Sequence, residues 1–172
     1  ILIMEHKGRR FAARTAYAPS VPIDAIEQGT NTLFGEDDIE LLITITDIAS
    51  IDNFYIFDFD FGEFLVLEDE FIDGQEFQFS YFYSKDIEPG ETAEVSILGA
   101  DDGFSNYMSL LLEQTENDGG IFDTPAATVR GNVFDATGFD NQSIFDNSTR
   151  PDDFALGYFA VVQEYKQNIT FE

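Results

Sequence analysis

Two short runs in which aromatic residues alternate with polar ones constrain the fold of this chain more than any other feature. The rings stand at Phe57, Phe59 and Phe61, and again at Phe77, Phe79 and Tyr81. A period of two places one set of side chains on one face of a β-strand, whereas helical geometry would scatter the rings around the axis. Each run, the first as part of one segment over 53–67, is therefore predicted to be an extended strand with an aromatic face.

The rest of the sequence adds further strands and one helix. Alternation predicts strands over 39–47 and 92–98, and a closing strand pair over 155–162 and 167–171. Residues 104–116 change period, because their apolar residues recur at helical spacing, and Asp101 and Asp102 are the candidate caps. We therefore expect a mainly β fold, an antiparallel β-sandwich or partly open barrel with one short α-helix at about 104–116.

The first 18 residues are predicted to stand apart from the rest. Residues 1–18 alternate around Lys7-Gly8, which is typical of a β-hairpin with a tight turn. Two prolines follow within residues 19–22 and favour a stiff, extended connector. The boundary is therefore predicted after residue 18, and residues 19–172 form the main β domain.

A long polar segment, residues 121–153, has two interpretations. It is either a C-terminal strap that is part of the fold, with Gly131 and Gly157 allowing close backbone approach, or a loop that binds a partner. Sequence motifs over 125–134 favour the strap there. Residues 135–153 remain free to form a contact loop.

The charge balance excludes several classes of function. The chain has 34 acidic residues against 8 lysines and arginines, a formal net charge of −26. Such a chain has no basic stripe for nucleic acid, and an anionic membrane surface would repel it. It has no cysteine and one histidine, which removes thiolate zinc sites and Ser-His-Asp schemes. Apolar residues make up 44% of the chain, so it is predicted to fold despite its charge.

The residues suggest three kinds of site. Acidic clusters such as residues 36–38, 68–70, 101–102 and 152–153 offer oxygen ligands for calcium, but none has EF-hand spacing, and a solvated acidic face is expected. Asp58 and Asp60 lie within the separation of a glycosidase pair, as almost any acidic strand would. The candidate ligand or partner surface is aromatic and consists of Tyr55, Tyr81, Tyr83, Phe139 and Phe145.

Several motifs resemble a known family when they are taken together. They are Gly8 with Phe11-Ala12-Ala13-Arg14-Thr15, Pro22-Ile23-Asp24, Asn53-Phe54-Tyr55, Asp73-Gly74, Gly90-Glu91, the Tyr107 helix to Glu113-Gln114, Pro125-Ala126, Val129-Arg130-Gly131-Asn132-Val133 and Ala155-Leu156-Gly157-Tyr158-Phe159. Their order and spacing are similar to the domain-of-unknown-function family numbered 4249 of Bacteroidota. The Gly-Asn-Val and Leu-Gly-Tyr-Phe motifs are the most specific part.

The resemblance implies an exported lipoprotein of the outer membrane, anchored by a lipid-bearing cysteine upstream of this chain. It further implies a preceding immunoglobulin-like sandwich, of which residues 1–18 would be the last hairpin. Family members are often encoded beside TonB-dependent receptors, and no enzymatic activity is established for them. We therefore expect a non-enzymatic accessory or binding component of the cell envelope without a cofactor. A carbohydrate- or peptide-binding module is the alternative, and a carboxylate-based glycoside hydrolase is the third possibility.

Overall fold

A computed structural model describes residues 1–33, 39–83, 87–116, 129–137 and 155–172. In these ranges the elements are β1 (Leu2–His6), β2 (Arg9–Ala13), β3 (Tyr17–Ala18), β4 (Ile23–Gln28), β5 (Glu40–Thr46), β6 (Phe54–Asp58), β7 (Phe64–Glu68), β8 (Glu76–Phe82), β9 (Thr92–Ala100), α1 (Asp102–Glu116), β10 (Phe134–Asp135), β11 (Val161–Val162) and β12 (Glu164–Thr170). The fold is mainly β and sandwich-like with a single short helix in the described part, which confirms the predicted class. The chain divides into two compact units, residues 1–17 with 106–161 and residues 18–105 with 162–172.

The larger unit, residues 18–105 and 162–172, contains two antiparallel sheets. One has the strand order β12-β9-β6-β7 and the other has the order β4-β5-β8. Leu41, Ile43 and Ile45 of β5 share the face that the sequence predicts and are fully buried, where they join Tyr55 and Phe57 of β6 in one cluster. The core of this unit therefore lies between its two sheets.

The segment predicted as one strand over 53–67 is instead a hairpin of β6 and β7. Asp60, Phe61 and Gly62 have φ values of 66°, 53° and 85°, so the chain turns there in the left-handed region. Two aspartates support the turn: Asp58 Oδ1 accepts from Asp60 N at 2.9 Å, and Asp60 Oδ1 accepts from Phe61 N at 2.8 Å. Short aspartate side chains stabilise turns in this way. Phe61 therefore lies in the turn, partly exposed but still edge to face with Tyr83 at a centroid distance of 6.0 Å, while Phe57 and Phe59 stay buried.

The predicted pairing of the two closing strands is also wrong. β11 pairs with β3, and β12 pairs along its whole length with β9, in the register Glu164 with Leu98 to Thr170 with Thr92. Gln163 is the single residue between β11, which ends at Val162, and β12, which begins at Glu164. That spacing leaves no room for a reversing turn, so the two segments cannot fold back on one another.

The smaller unit, residues 1–17 and 106–161, contains the predicted N-terminal hairpin. β1 and β2 pair around Lys7 and Gly8, whose φ values of 49° and 77° suit a two-residue turn. β10 pairs with β2 as a third strand. The division after Tyr17 falls beside the predicted boundary, although residues 106–161 group with the hairpin. Its origin in an immunoglobulin-like domain stays a prediction.

Asp101, one of the two candidate caps, caps helix α1. Its Oδ1 accepts from Phe104 N at 2.8 Å, and its carbonyl oxygen accepts from Ser105 N at 2.9 Å. This is the geometry of an N-cap, which satisfies a backbone donor that has no partner within the helix. The position of the helix thus follows from its sequence pattern.

The Gly-Asn-Val and Leu-Gly-Tyr-Phe motifs of the resemblance contact each other in the smaller unit. A Cβ atom on Gly131 would collide with the carbonyl oxygen of Gly157, which confirms the predicted close backbone approach. Beside this contact, Asn132 Nδ2 donates to Phe159 O and Asn132 Oδ1 accepts from Phe159 N, both at 2.8 Å. The Asn132 side chain thus makes the two hydrogen bonds to the Phe159 backbone that a neighbouring strand would otherwise make. Most of the predicted strap, including residues 121–128 and 138–154, lies outside the described residues.

Glu40 is a carboxylate of β5 that lies on the face opposite the core residue Leu41 and is nevertheless only 1% exposed. Asn31 donates to it from its amide side chain at 3.0 Å and from its backbone N at 2.9 Å, and Ser80 Oγ donates at 2.6 Å. These hydrogen bonds, first that of the Asn31 side chain, hold the pKa of Glu40 below its usual value. The ionised form is therefore the one that the fold stabilises.

We predict that Glu40→Gln lowers the free energy of unfolding at neutral pH. We also expect the variant to lose less of that free energy than the original protein as the pH falls. A depressed folded-state pKa contributes stability that is present above the unfolded pKa of about 4.3 and is lost as the pH falls through the folded value. Urea denaturation of both proteins between pH 7 and pH 3 measures this. An equal loss of stability with acid in the two proteins would contradict this role of Glu40.

We also predict that Gly99→Ala destabilises the larger unit by about 1–3 kcal/mol, the range for overpacking. A Cβ atom there would collide with the carbonyl oxygens of Ala18 and Pro19, which are backbone atoms and cannot turn aside. Gly103→Ala is the control, since it replaces an exposed glycine within α1 and should be neutral or stabilising by up to about 1 kcal/mol. Urea denaturation that finds Gly99→Ala as stable as the control would refute the steric argument.

Candidate functional site

Two of the connections that cross between the sheets of the larger unit lie at the same end of the sandwich. Residues 47–53 run from β5 to β6, and residues 69–75 run from β7 to β8. The register pairs the end of β5 with the start of β8, and the start of β6 with the end of β7. The two loops therefore lie side by side.

An acidic cavity of about 820 Å³ opens between these loops and the start of α1, and its volume is within the range of ligand sites in proteins. Its acidic lining residues are Asp52, Glu68, Asp69, Glu70, Asp73 and Asp102, and the others are Ser50, Ile51 and Phe54. No cationic residue is among these lining residues, all of which belong to the described part. Carboxylates that converge on a concavity focus their field and raise the local concentration of cations.

Hydrogen bonds to carboxylates tie the two loops to each other. Asp47 Oδ2 accepts from Gly74 N at 2.8 Å, and Asp73 Oδ1 accepts from Ser50 N at 2.6 Å. Asp69 Oδ2 accepts from the backbone N of Asn53 at 2.9 Å. Asn53 is buried, so its backbone N–H would otherwise be a buried donor without a partner. Asp69 and Asp73 therefore both line the cavity and hold its loops in place, and Asp47 supports them from beside the lining.

Asp47, Asp69 and Asp73 form a three-carboxylate cluster, in which one oxygen atom of each lies within 4.8 Å of the others. Asp47 and Asp69 are buried, and Asp73 is exposed. Hard cations prefer several carboxylate oxygens, and a lysine or arginine side chain would be attracted by the same charges. The cluster can thus serve a cation of either kind, from the wall of the cavity.

Tyr55 is the neutral partner of this cluster. Its hydroxyl donates to Asp47 Oδ1 at 2.5 Å, and the residue has no exposed area. Burial, and then the hydrogen bond to Asp47 and the charges of Asp47 and Asp69, raises the pKa of Tyr55 above its usual value. The phenol therefore stays protonated and remains a donor to the buried carboxylate.

The predicted aromatic surface is corrected by these positions. Tyr55 and Tyr83 are buried, because their hydroxyls bond inward to Asp47 and to the carbonyl of Phe59 rather than to water. Tyr81 is half-buried, stacks on Phe59 with ring centroids 3.6 Å apart, and donates its hydroxyl to Glu63. These tyrosines are core residues and cannot stack on a sugar as a group. Phe139 and Phe145 lie outside the described residues.

The suggested glycosidase pair, Asp58 and Asp60, has a different role in the fold. Besides their bonds within the turn, Asp60 Oδ2 accepts from Glu94 N at 3.3 Å. Their oxygen atoms thus face backbone donors of the β6–β7 turn and of β9. A general acid and base for glycoside hydrolysis should instead face the substrate across a cleft.

Sequence reasoning found part of the acidic cavity and missed the rest. Of the acidic clusters that the sequence offers for calcium, residues 68–70 and Asp102 line the cavity, whereas Asp101 caps α1. Asp47 and Asp73 were not considered as site residues, because each is a single acid at a strand end or turn. The available signal was their position, since each follows or precedes a predicted strand at a point where the chain must change direction.

A second cavity, of about 370 Å³, lies in the smaller unit at the turn between β1 and β2. Two of its cations already have ion-pair partners: Arg9 contacts Asp135 at 2.7 Å, and Arg10 contacts Glu5 at 2.8 Å. Its charge is therefore partly neutralised by neighbours. The acidic cavity, whose lining lacks cations, is the stronger candidate for a charged ligand.

Comparison with known proteins finds no family model, no curated protein and no solved structure that matches this chain. The resemblance to family 4249 therefore stays a prediction. Among the described residues, no helix is both long and apolar enough to cross a membrane.

We predict that Tyr55→Phe costs about 1.5–3 kcal/mol of unfolding free energy, because it removes a hydrogen bond to a buried charged acceptor. Tyr83→Phe is the matched control, since its hydroxyl donates to a neutral carbonyl and its loss should cost about 0.5–1.5 kcal/mol. Urea denaturation at pH 7 ranks the two variants. If Tyr83→Phe were the more damaging, the cluster would not depend on the phenol.

Proposed function

We propose that this chain is a non-enzymatic binding domain, which holds a positively charged segment of a partner protein in its acidic cavity. The observation that carries the proposal is the lining of the cavity, where six carboxylates converge and the described lining residues include no cation. Electrostatic complementarity of this kind accelerates association and selects partners by charge. A net charge of −26 adds a long-range field of the same sign.

The setting of this function is proposed from the sequence resemblance alone. On that basis the domain belongs to an outer-membrane lipoprotein of the cell envelope, anchored by lipid upstream of this chain. Its partner there is an envelope protein such as a TonB-dependent receptor. The cavity supports the charge of the proposed ligand, and the resemblance supports the proposed compartment.

Among the alternatives from the sequence, the geometry favours peptide binding over carbohydrate binding. The tyrosines suggested as a sugar platform are occupied within the core, whereas an acidic concavity suits the lysine and arginine side chains of a polypeptide. Calcium is the second ligand to test, because the three-carboxylate cluster offers hard oxygen atoms.

We predict that a hexalysine peptide binds the purified chain, and that a triple variant with Asp52→Asn, Glu68→Gln and Glu70→Gln binds it about tenfold more weakly. Three exposed charge pairs at roughly 0.2–1 kcal/mol each are sufficient for that change. Binding is measured by isothermal titration calorimetry at low ionic strength and again in added salt, which should weaken it. Titration with calcium chloride in the same buffer tests the second ligand.

The control is a second triple variant, Glu27→Gln, Glu76→Gln and Glu88→Gln, which removes the same amount of charge from exposed positions outside the cavity. It should bind the peptide almost as well as the original chain. Equal weakening in both variants would mean that the peptide responds to net charge alone, and the cavity would then not be the binding site.

A further inference from the structure

Among the described residues, no strand pairs with the outer side of the backbone of strand β7. It is the last strand in the order β12-β9-β6-β7. The bonds from Phe59 N to Glu63 O and from Asp69 N to Asn53 O frame the β6–β7 ladder. Bonded and non-bonded pairs alternate in an antiparallel ladder. The N–H and C=O groups of Leu65 and Leu67 therefore face β6.

The alternate residues of β7 consequently point their backbone groups away from the sheet. By the same register, these are Phe64, Val66 and Glu68. Within the part of the chain that the structure describes, no strand pairs with this side of β7. Three residues thus offer backbone donors and acceptors to an incoming strand.

The sequence of β7 does not protect this edge. Phe64 to Leu67 are four consecutive apolar residues without charge or proline. The other edge strands of the two sheets interrupt their apolar residues with Asp24 and Glu27 in β4, with Gln78 and Ser80 in β8, and with Lys166 and Asn168 in β12. Natural proteins usually guard exposed edges in that way. An unguarded edge is expected where a partner strand binds.

The open edge of β7 leads directly into the acidic cavity. Glu68, the last residue of β7, lines the cavity, and Asp69 and Glu70 follow it. Two large apolar side chains are exposed here: Phe71 in the same loop is 84% exposed, and Ile51 in the lining is 50% exposed. An edge, an acidic concavity and exposed apolar side chains therefore lie next to one another on this unit.

We propose that a partner protein adds an extended strand to β7, with a lysine or arginine at the end of that strand placed in the acidic cavity. This inference rests on the proposed function and specifies the form of its ligand. Main-chain hydrogen bonds supply affinity in strand addition, and side-chain contacts supply specificity. A second copy of this chain is disfavoured as the partner, because two bodies of charge −26 repel each other.

The first experiment uses a synthetic peptide, Lys-Thr-Val-Thr-Val-Thr-Val-Lys, blocked at both ends. Amide hydrogen exchange of the protein is measured by NMR with and without saturating peptide. Exchange at Phe64, Val66 and Glu68 should slow at least tenfold, whereas exchange at Leu65 and Leu67, which already bond to β6, should not change. Equal slowing at all five residues, or at none, would overturn strand addition.

The second experiment separates strand pairing from charge. In a control peptide, proline replaces the three threonines, so the two lysines remain but the backbone favours polyproline II over a strand. Fluorescence anisotropy should show at least tenfold weaker binding of this control. Val66→Pro in the protein removes one outward N–H and should lower the affinity for the original peptide at least tenfold. Val66→Thr keeps that N–H and should leave the affinity for the same peptide within twofold of the unaltered protein. The exchange experiment uses the unaltered protein, so it holds even if Val66→Pro does not fold.

The outcomes distinguish this inference from the proposed function. If both lysine peptides bind equally and the cavity triple variant weakens both, the acidic cavity binds cations and strand addition is overturned. If neither peptide binds, the proposed function is overturned as well. If Phe64, Val66 and Glu68 are protected at high protein concentration without peptide, and sedimentation shows dimers, a second copy occupies the edge and the basic partner strand is overturned.

Discussion

Aromatic contacts between the two sheets of the larger unit determine where everything else in that unit can lie. Phe59 stacks on Tyr81 with centroids 3.6 Å apart, and Phe57 meets Phe79 edge to face at 5.2 Å. Each contact joins the β6 side of one sheet to β8 of the other. Buried rings contribute much of a core's apolar area and prefer such stacked or edge geometries. The β5–β6 and β7–β8 loops lie together at one end of these facing strands, where the acidic cavity forms.

The acidic residues of this unit fall into two physical groups. One group bonds to backbone and side-chain donors inside the fold: Glu40 to Asn31 and Ser80, and Asp47 to Tyr55 and Gly74. Removing a donor from such a group leaves a buried charge without compensation, which is far more costly than losing a surface contact. The other group, including Asp52 and Glu70, points to water and is free to attract a ligand. Some of the acidic residues thus stabilise the fold through internal hydrogen bonds, and others determine the charge of the surface.

The parts of the fold that follow from local pattern could be predicted from the sequence, and the parts that depend on distant contacts could not. Period-two alternation correctly identified β5, and the helical spacing with its Asp101 cap identified α1. The hairpin over 53–67 was missed because its turn depends on left-handed backbone at Asp60 and Phe61, which no apolar pattern encodes. The acidic cavity could not be predicted for a related reason, since its acids come from separate loops that only the sheet register brings together.

The burial of the tyrosines gives this protein an internal optical indicator. The chain contains no tryptophan, so tyrosine dominates its near-ultraviolet absorption. Burial, together with neighbouring carboxylates, raises the pKa of Tyr55 and of Tyr83. A raised folded-state pKa contributes stability that is fully present below the unfolded value of about 10 and is lost as the pH rises past it. Ionisation of these two phenols in alkali therefore accompanies the opening of the core. Their share of the tyrosinate absorbance, which follows that of exposed tyrosines such as Tyr17, records the integrity of the sandwich without any attached label.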